Sequence, residues 1–209
     1  MLQKNDLYDI DITSLGSEGQ GIGRIDNIAV FVEGGLPGEK IRIKIIKTKK
    51  NYCIGKIVEI IIPSEHRINP PCDIFNKCGG CDLQHLSYEQ QLLYKQDKVS
   101  NDLKRIGSID VNVKEVIGME NPFYYRNKAQ FPVRKNKNGE IEIGFFRKRS
   151  HDIIPINNCL IQHEISEAIL DIIKNHMIDF KIEPYDESSH KGLIRHIVTK
   201  FGFKSKELM

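Results

Sequence analysis

The sequence of 209 residues contains no tryptophan, no long apolar run and no strong excess of charge of either sign. Its densest apolar stretch, residues 57–62, includes Glu59 and is far too short to span a bilayer. The first ten residues carry no apolar run, which argues against a secretory signal. A net charge of +3 does not by itself indicate a nucleic-acid partner. We therefore expect a cytoplasmic protein without membrane contact.

The composition is that of an ordinary folded protein, with 40% hydrophobic and 28% charged residues. The length allows one large domain or two small ones, each with its own core. Five cysteines, an odd number, favour metal binding over a framework of disulfides in a chain of this kind.

Residues 1–62 show the pattern of short strands. Four segments, 8–12, 28–32, 41–45 and 54–62, either alternate apolar with polar residues or are rich in β-branched residues. Glycines and Pro37 interrupt the middle of this region. Close spacing of short strands without a helical period predicts a small closed barrel of the OB type.

Residues 63–209 mix helix with strand. Ser87 followed by Gln90 is a capping-box signature, and Gly107 is a suitable helix stop. Further elements are predicted as a hairpin at Asn138-Gly139, a helix over 163–177 and a strand within 193–203. These elements predict a mixed α/β domain.

Three cysteines lie within ten residues. Cys72, Cys78 and Cys81 have the spacing C-x5-C-x2-C, and two glycines lie inside the last pair. Thiolates suit zinc, copper(I) and iron–sulfur clusters. A [4Fe–4S] cluster needs a fourth thiolate, for which Cys159 is the candidate. The spacing alone leaves structural zinc and an iron–sulfur cluster equally open.

Two other residues have side chains that can bind metal. His85 follows the cysteine group and is an alternative ligand, although a place on the approach to the helix explains it better. Cys53 stands alone in a predicted strand and is expected to be a small core residue. Reduced, buried thiols without metal are the remaining interpretation of the cysteine group.

Basic residues are concentrated in two segments. Residues 38–58 contain seven Lys or Arg against Glu39, and residues 123–151 contain eight, interleaved with aromatic residues. Cations contact phosphates and exposed rings stack on bases, so this combination suits looped or single-stranded RNA. A solvated basic surface over core aromatics is the alternative. The glycines of residues 16–23 do not form the G-x-G-x-x-G motif of nucleotide-binding proteins, because Arg24 stands where the third glycine is required and a strand follows in place of a helix. A tight turn between strands is expected.

Four motifs in order resemble one family. They are Gly19-Gln20-Gly21-Ile22-Gly23-Arg24 with Leu36-Pro37-Gly38-Glu39, the cysteine motif with Leu83-Gln84-His85-Leu86, Tyr125-Arg126-Asn127-Lys128-Ala129-Gln130-Phe131-Pro132-Val133, and Gly192-Leu193-Ile194-Arg195-His196-Ile197-Val198. Together they resemble the TRAM domain and the iron–sulfur and central regions of bacterial RNA uracil-C5 methyltransferases. The resemblance covers essentially the whole chain.

The resemblance implies a [4Fe–4S] cluster held by Cys72, Cys78, Cys81 and Cys159, with a structural role. It also implies RNA binding, for which alternation along strands favours two groups of residues: Arg42 with Lys44, and Arg126 with Lys128 and Gln130. Ribosomal RNA is the favoured partner, with transfer RNA as the alternative. A monomer is expected.

The family also uses S-adenosylmethionine, held in a Rossmann-like domain, and a catalytic cysteine. No strand–glycine loop–helix unit occurs here, so no catalytic residue is assigned. The predicted fold class is α+β: a TRAM barrel of OB type over 1–62 and an iron–sulfur central domain over 63–209, the Rossmann-like methyltransferase domain being absent. The alternative function is an RNA-binding iron–sulfur or zinc module without catalysis.

Overall fold

The computed structural model describes residues 2–209, which form two compact units. The first unit is Met1–Pro71 with Asp82–Gly118, and the second is Cys72–Cys81 with Met119–Met209. The short segment that carries three of the cysteines is therefore part of the second unit. The predicted division at residue 62 remains a prediction.

Ten strands and two helices are found in residues 2–209. The strands are β1 (Leu7–Asp11), β2 (Ser14–Leu15), β3 (Gly21–Ile25), β4 (Ile28–Val32), β5 (Lys40–Thr48), β6 (Tyr52–Ile62), β7 (Lys128–Lys135), β8 (Ile141–Phe146), β9 (Ile153–Pro155) and β10 (His196–Lys200). The helices are α1 (Tyr88–Arg105) and α2 (Ile165–Asp179). Among residues 2–209, neither helix combines the length and the apolar character that a membrane span requires.

The first unit is built on one sheet of six strands in the order β1-β5-β6-β4-β3-β2. The strands β1 and β2 lie at opposite ends of this order but are separated by two residues, so the sheet must curl back on itself. Alternate residues of β5 point inwards, and the side chains of Ile41, Ile43 and Ile45 are fully buried. This alternation is the period-2 pattern visible in the sequence.

The glycine-rich stretch forms the turn between β2 and β3, as expected. The Gly19 amide donates to the Gly16 carbonyl at 3.0 Å, and Gly19 has a φ of +79°, a conformation that glycine adopts without strain. A Cβ atom at Gly23 would lie 2.6 Å from the carbonyl oxygen of Asp11. These glycines therefore serve the turn and the close approach of strands.

A buried carboxylate connects the loop before β5 to the chain after β6. Glu39 accepts hydrogen bonds from the amides of Leu36 at 2.9 Å and Ser64 at 3.3 Å, and from the Arg67 guanidinium at 2.5 and 2.9 Å. Arg67 also donates to the Gly34 carbonyl at 2.6 Å. The Glu39 side chain is 0% exposed. Burial acts to raise the pKa of Glu39, but the hydrogen bonds and the charge of Arg67 outweigh it, so the pKa is lowered.

Helix α1 begins after Ser87 and ends before Gly107, as predicted. The predicted capping box does not form, because Ser87 makes no side-chain capping hydrogen bond. The side chain of Gln91 donates to the carbonyls of Leu83 and Leu86, which connects the helix to the loop before it. None of the residues of α1 is buried, so this helix lies on the surface of its unit.

The second unit contains an antiparallel sheet of four strands in the order β10-β7-β8-β9. The predicted Asn138-Gly139 turn joins β7 to β8, with Gly139 at a φ of +83°. Helix α2 places Leu170 and Met177 in the core with Phe131 of β7. The predicted helix and final strand are confirmed, with bounds that differ by a few residues.

The structure corrects the predicted fold class. The prediction was an α+β fold, with an OB-like TRAM barrel followed by a mixed α/β iron–sulfur domain and without a Rossmann-like domain. The sheet of the second unit is antiparallel throughout, and α1 buries no residue. The fold is mixed and rich in β-structure, because residues 2–209 contain only two helices, whereas their ten strands pair into two sheets.

Replacing Glu39 by Gln should lower the free energy of unfolding by about 3 kcal/mol, since removing one partner leaves the other incompletely paired. Because the pKa of Glu39 is lowered in the folded state, its contribution is present above the unfolded pKa of about 4.3 and is lost as the pH falls through the folded value. Urea unfolding from pH 7 to pH 3 should show the difference between wild type and variant shrinking below about pH 4.

The matched control is Glu59→Gln. Glu59 also pairs with an arginine, but both partners are exposed, and such pairs contribute about 0–1 kcal/mol. Equal destabilisation by the two variants at pH 7 would contradict the role given to Glu39.

Candidate functional site

The three-cysteine segment is fastened to the end of β8. The Gly79 amide donates to the Phe146 carbonyl at 3.0 Å, and the Lys148 amide donates to the Lys77 carbonyl at 2.8 Å. These bonds flank an antiparallel bridge between Cys78 and Arg147. This single bridge, just after the end of β8, therefore fixes the position of Cys78.

The two glycines between Cys78 and Cys81 have different roles. At Gly79 a Cβ atom would lie 3.1 Å from the Phe146 carbonyl oxygen, so a side chain would push the cysteine segment away from the end of β8. The Gly80 amide points at the Cys78 sulfur, with a distance of 3.4 Å. An amide that donates to sulfur stabilises the thiolate form.

Cys159 lies in a turn that is fixed independently. The amides of Tyr124 and Arg126 donate to the carbonyls of Leu160 and Ile161, at 2.8 and 3.0 Å, which ties this turn to the segment before β7. The Cys159 amide donates to a carboxylate oxygen of Glu167 in α2 at 3.0 Å. The turn is thus held on both sides.

The pKa of Cys78 responds to two of the other cysteines. Burial raises the pKa of Cys78; the Gly80 amide lowers it, and the charges of Cys159 and Cys72 raise it further. The net effect is a thiol with a pKa above its usual range. Such thiols are neutral at pH 7, and a metal that binds them has to displace their protons.

The same balance applies to Cys159. Burial raises its pKa, the amides of Ile161 and Gln162 lower it, Cys72 raises it, and Arg126 lowers it. Arg126, chosen from the sequence as an RNA contact, is therefore also close enough to act on Cys159.

Strained backbone is found on both sides of the cysteines. Tyr124, Arg149 and Asn158 all have a φ between 53° and 59°. Asparagine tolerates this region, but tyrosine and arginine adopt it at a cost of about 1–3 kcal/mol. Such residues persist where the surrounding structure determines the backbone. Here Asn158 lies in the turn of Cys159, Tyr124 lies in the segment bonded to that turn, and Arg149 follows the residues that pair with the cysteine segment.

The structure places the four predicted ligands in one unit but does not arrange them as a metal site. Cys72, Cys78, Cys81 and Cys159 all belong to the second unit. Within residues 2–209, no group of three or more His, Cys, Asp or Glu is arranged to hold a metal ion. The chemistry of the donors fits a sulfur-ligated group. Thiols come from two separately fixed loops, and backbone amides are directed at the sulfurs of Cys78 and Cys159.

Two further residues that can bind metal, Cys53 and His85, lie elsewhere. Cys53 is 0% exposed and belongs to the core of the first sheet, as predicted. His85 is buried in the first unit, whereas the four cysteines belong to the second.

On the first unit, Arg42 and Lys44 share the outer face of β5, as their alternation predicts. Arg42 is held by Asp9 at 2.7 and 3.0 Å and by Glu59 at 3.0 Å, so two carboxylates surround its charge. Lys44 instead lies directly opposite Lys56 of β6, and both are exposed. Like charges in opposed positions repel each other, and a bound anion relieves that repulsion.

On the second unit, Lys128 and Gln130 are exposed on either side of the buried Ala129. Arg126 is also exposed but lies before the strand, which begins at Lys128. Across the sheet, Lys128 is opposite Lys200 of β10. Sequence reasoning missed Lys200 because strand pairing between distant segments has no local signal.

Comparison with known proteins identifies the first region. Residues 2–58 match the TRAM domain. An uncharacterized RNA methyltransferase of Clostridium tetani is 48% identical over 208 residues, which are 100% of this chain and 45% of that protein. One of Caldanaerobacter subterraneus is 50% identical over 202 residues, 97% of this chain and 44% of that protein. The chain thus spans less than half the length of these relatives.

A solved structure is also similar. The crystal structure of Pyrococcus abyssi tRNA (uracil-54, C5)-methyltransferase, in complex with S-adenosyl-L-homocysteine, matches with a TM-score of 0.69 and 26% sequence identity. The match covers 96% of this chain and 44% of that chain. The chain contains a TRAM domain, and its relatives are RNA methyltransferases.

This match completes the correction of the fold class. The chain has a mixed, β-rich, methyltransferase-like fold over nearly all its length, so describing it as an α+β module defined by an absent Rossmann-like domain was wrong. The lack of a strand–glycine loop–helix motif is a local property of the sequence, and it does not determine the fold of the residues that are present.

Replacing both Lys44 and Lys56 by Gln should weaken binding to RNA. The slope of log affinity against log salt concentration should fall by about 0.7 for each phosphate of a single strand that the variant no longer neutralises. Fluorescence anisotropy of a labelled RNA, titrated at several salt concentrations, measures both quantities.

The control variant removes the same two positive charges at another place in the first unit. Lys104 and Lys114 are exposed in the first unit but lie outside its sheet, and their double replacement by Gln should leave the slope unchanged. If both double variants had the same slope, the β5–β6 face would be removed from the RNA interface.

Proposed function

We propose that this chain supplies RNA-binding surfaces and a cysteine-ligated [4Fe–4S] site to an S-adenosylmethionine-dependent RNA (uracil-C5) methyltransferase. The observation that carries the proposal is the match along 96% of the chain to a tRNA (uracil-54, C5)-methyltransferase. Relatives that are 48–50% identical and named RNA methyltransferases support the same class of reaction.

The role of the chain in that reaction is to hold the RNA. Lys44 opposite Lys56, and Lys128 opposite Lys200, give two places where opposed lysines face outwards and favour phosphate. S-adenosylmethionine is the proposed methyl donor, since the similar structure contains its demethylated product. No residue of this chain is assigned to the transfer of the methyl group.

The cysteines are proposed to hold the cluster as a structural element. Four thiolates satisfy four irons, which leaves no open position for substrate. The thiols of Cys72, Cys78 and Cys81 come from the segment clamped to β8, whereas Cys159 comes from the turn before α2. A cluster that joins these two loops would brace the second unit where the strained residues occur.

Disruption of the gene in its host should remove 5-methyluridine from one RNA species. Ribosomal RNA is the favoured substrate, and transfer RNA is the class named for the similar structure. Separate digestion of the two RNA classes, followed by mass spectrometry of the nucleosides, distinguishes them. Unchanged 5-methyluridine in both would refute the proposed reaction.

The Cys159→Ser variant should lose most of its iron and sulfide and should melt at a lower temperature. The wild-type chain, purified without oxygen, should be brown and contain about four irons and four sulfides. Iron, sulfide and zinc analysis with thermal denaturation provides the measurement.

The matched control is Cys53→Ala, which removes a cysteine from the core of the first sheet and should leave the iron content unchanged. A colourless wild-type protein with one zinc per chain would contradict the cluster. Equal iron in wild type and Cys159→Ser would remove Cys159 from the ligand set.

A further inference from the structure

Three aromatic rings meet at the end of β10. The rings of His163 and Phe201 are in contact, with centroids 3.9 Å apart and planes tilted by 39°. Phe203 meets Phe201 edge to face at 5.6 Å and lies 5.5 Å from His163. The side chain of Phe203 is exposed, with 42% of its surface open to solvent. All three residues belong to the second unit.

The cluster is rigidly supported. The Nδ1 atom of His163 accepts a hydrogen bond from the Ile165 amide at 3.2 Å, which fixes the ring at the start of α2. The Phe201 amide donates to the Asn127 carbonyl at 2.7 Å. Beyond it, the chain folds back in a tight turn, with the Gly202 amide donating to the Glu207 carbonyl at 2.9 Å. The exposed ring of Phe203 is therefore carried on an ordered turn.

Lysines lie close to this exposed ring along the chain. Lys204 and Lys206 lie in the same turn, and the Nζ atom of Lys206 is 5.9 Å from the centre of the Phe201 ring. Lys200 ends β10 beside them and faces Lys128 across the sheet. Among acids, the exposed Glu164 and Glu207 are neighbours of His163 and Lys206 in the sequence.

We infer that Phe203 is a stacking platform for an unpaired RNA base, with Lys200, Lys204 and Lys206 contacting the adjoining phosphates. Every base has a flat π-face, and an exposed aromatic ring beside cations is the arrangement by which proteins bind single-stranded nucleic acid. A duplex hides its base faces, so the occupant is a looped or flipped nucleotide. This inference rests on the proposed RNA-binding function and adds a subsite that involves neither the cysteines nor the β5–β6 face.

The test uses a single-stranded RNA oligonucleotide containing 2-aminopurine, whose fluorescence changes when the base stacks. Phe203→Leu in the full chain should weaken binding roughly fivefold to 150-fold, the range for one stacked base, and should abolish the fluorescence change. Phe203→Tyr keeps a flat ring and should retain both. Binding to a duplex of the same sequence should be the same for wild type and Phe203→Leu.

The chain offers a matched control in Phe180. This residue is 69% exposed and also pairs with a histidine, His176, at 4.4 Å between ring centres. Phe180 follows the C-terminal end of α2, whereas His163 precedes its N-terminal end. A helix of 15 residues is about 22 Å long. Phe180→Leu should leave RNA affinity and fluorescence unchanged. Thermal denaturation of every variant shows whether each one is folded.

The possible outcomes separate this inference from the proposed function. If wild type and Phe203→Leu bind the single strand equally well with the same fluorescence change, the platform is refuted while RNA binding stands. If Phe203→Leu weakens single strand and duplex alike, the ring does not stack on a base, and the inference also fails. If the wild-type chain binds neither RNA, both the inference and the RNA-binding function are wrong.

Discussion

The fold of the first unit depends on one buried carboxylate. Glu39 is surrounded by the amides of Leu36 and Ser64 and by the guanidinium of Arg67, and Arg67 continues to the Gly34 carbonyl. These bonds hold the loop before β5 against the chain that leaves β6. A carboxylate without exposed surface is stable only when its oxygens are fully paired, so each of these groups has to keep its place.

A second constraint works through the backbone alone and organises the cysteine site. The end of β8 pairs with the segment around Gly79, and the chain before β7 pairs with the turn of Cys159. Two loops that are 78 residues apart at Cys81 and Cys159 are thus placed in one unit by strands that belong to the same sheet. The thiols are positioned by amides and carbonyls that have no sequence signature.

Much of the local structure was predictable, and the reason is its short range. The alternation of Ile41, Ile43 and Ile45 with basic residues determined β5, and Asn138-Gly139 determined the hairpin of β7 and β8. The capping box at Ser87 was wrong, since Ser87 makes no side-chain capping hydrogen bond. The fold class was also wrong, since a count of helices and strands does not show how they pair.

By itself, the sequence determined the residue types that bear on function: thiols with a metal-like spacing, basic strands, and turns that require glycine. These follow from the chemistry of single residues and near neighbours. Tertiary structure alone decided that Arg42 is surrounded by two carboxylates while Lys44 faces Lys56, and that Phe203 is exposed beside His163. The physical reason is that pairing register and burial bring together residues far apart in the chain, and the charge or ring that remains available depends on those neighbours.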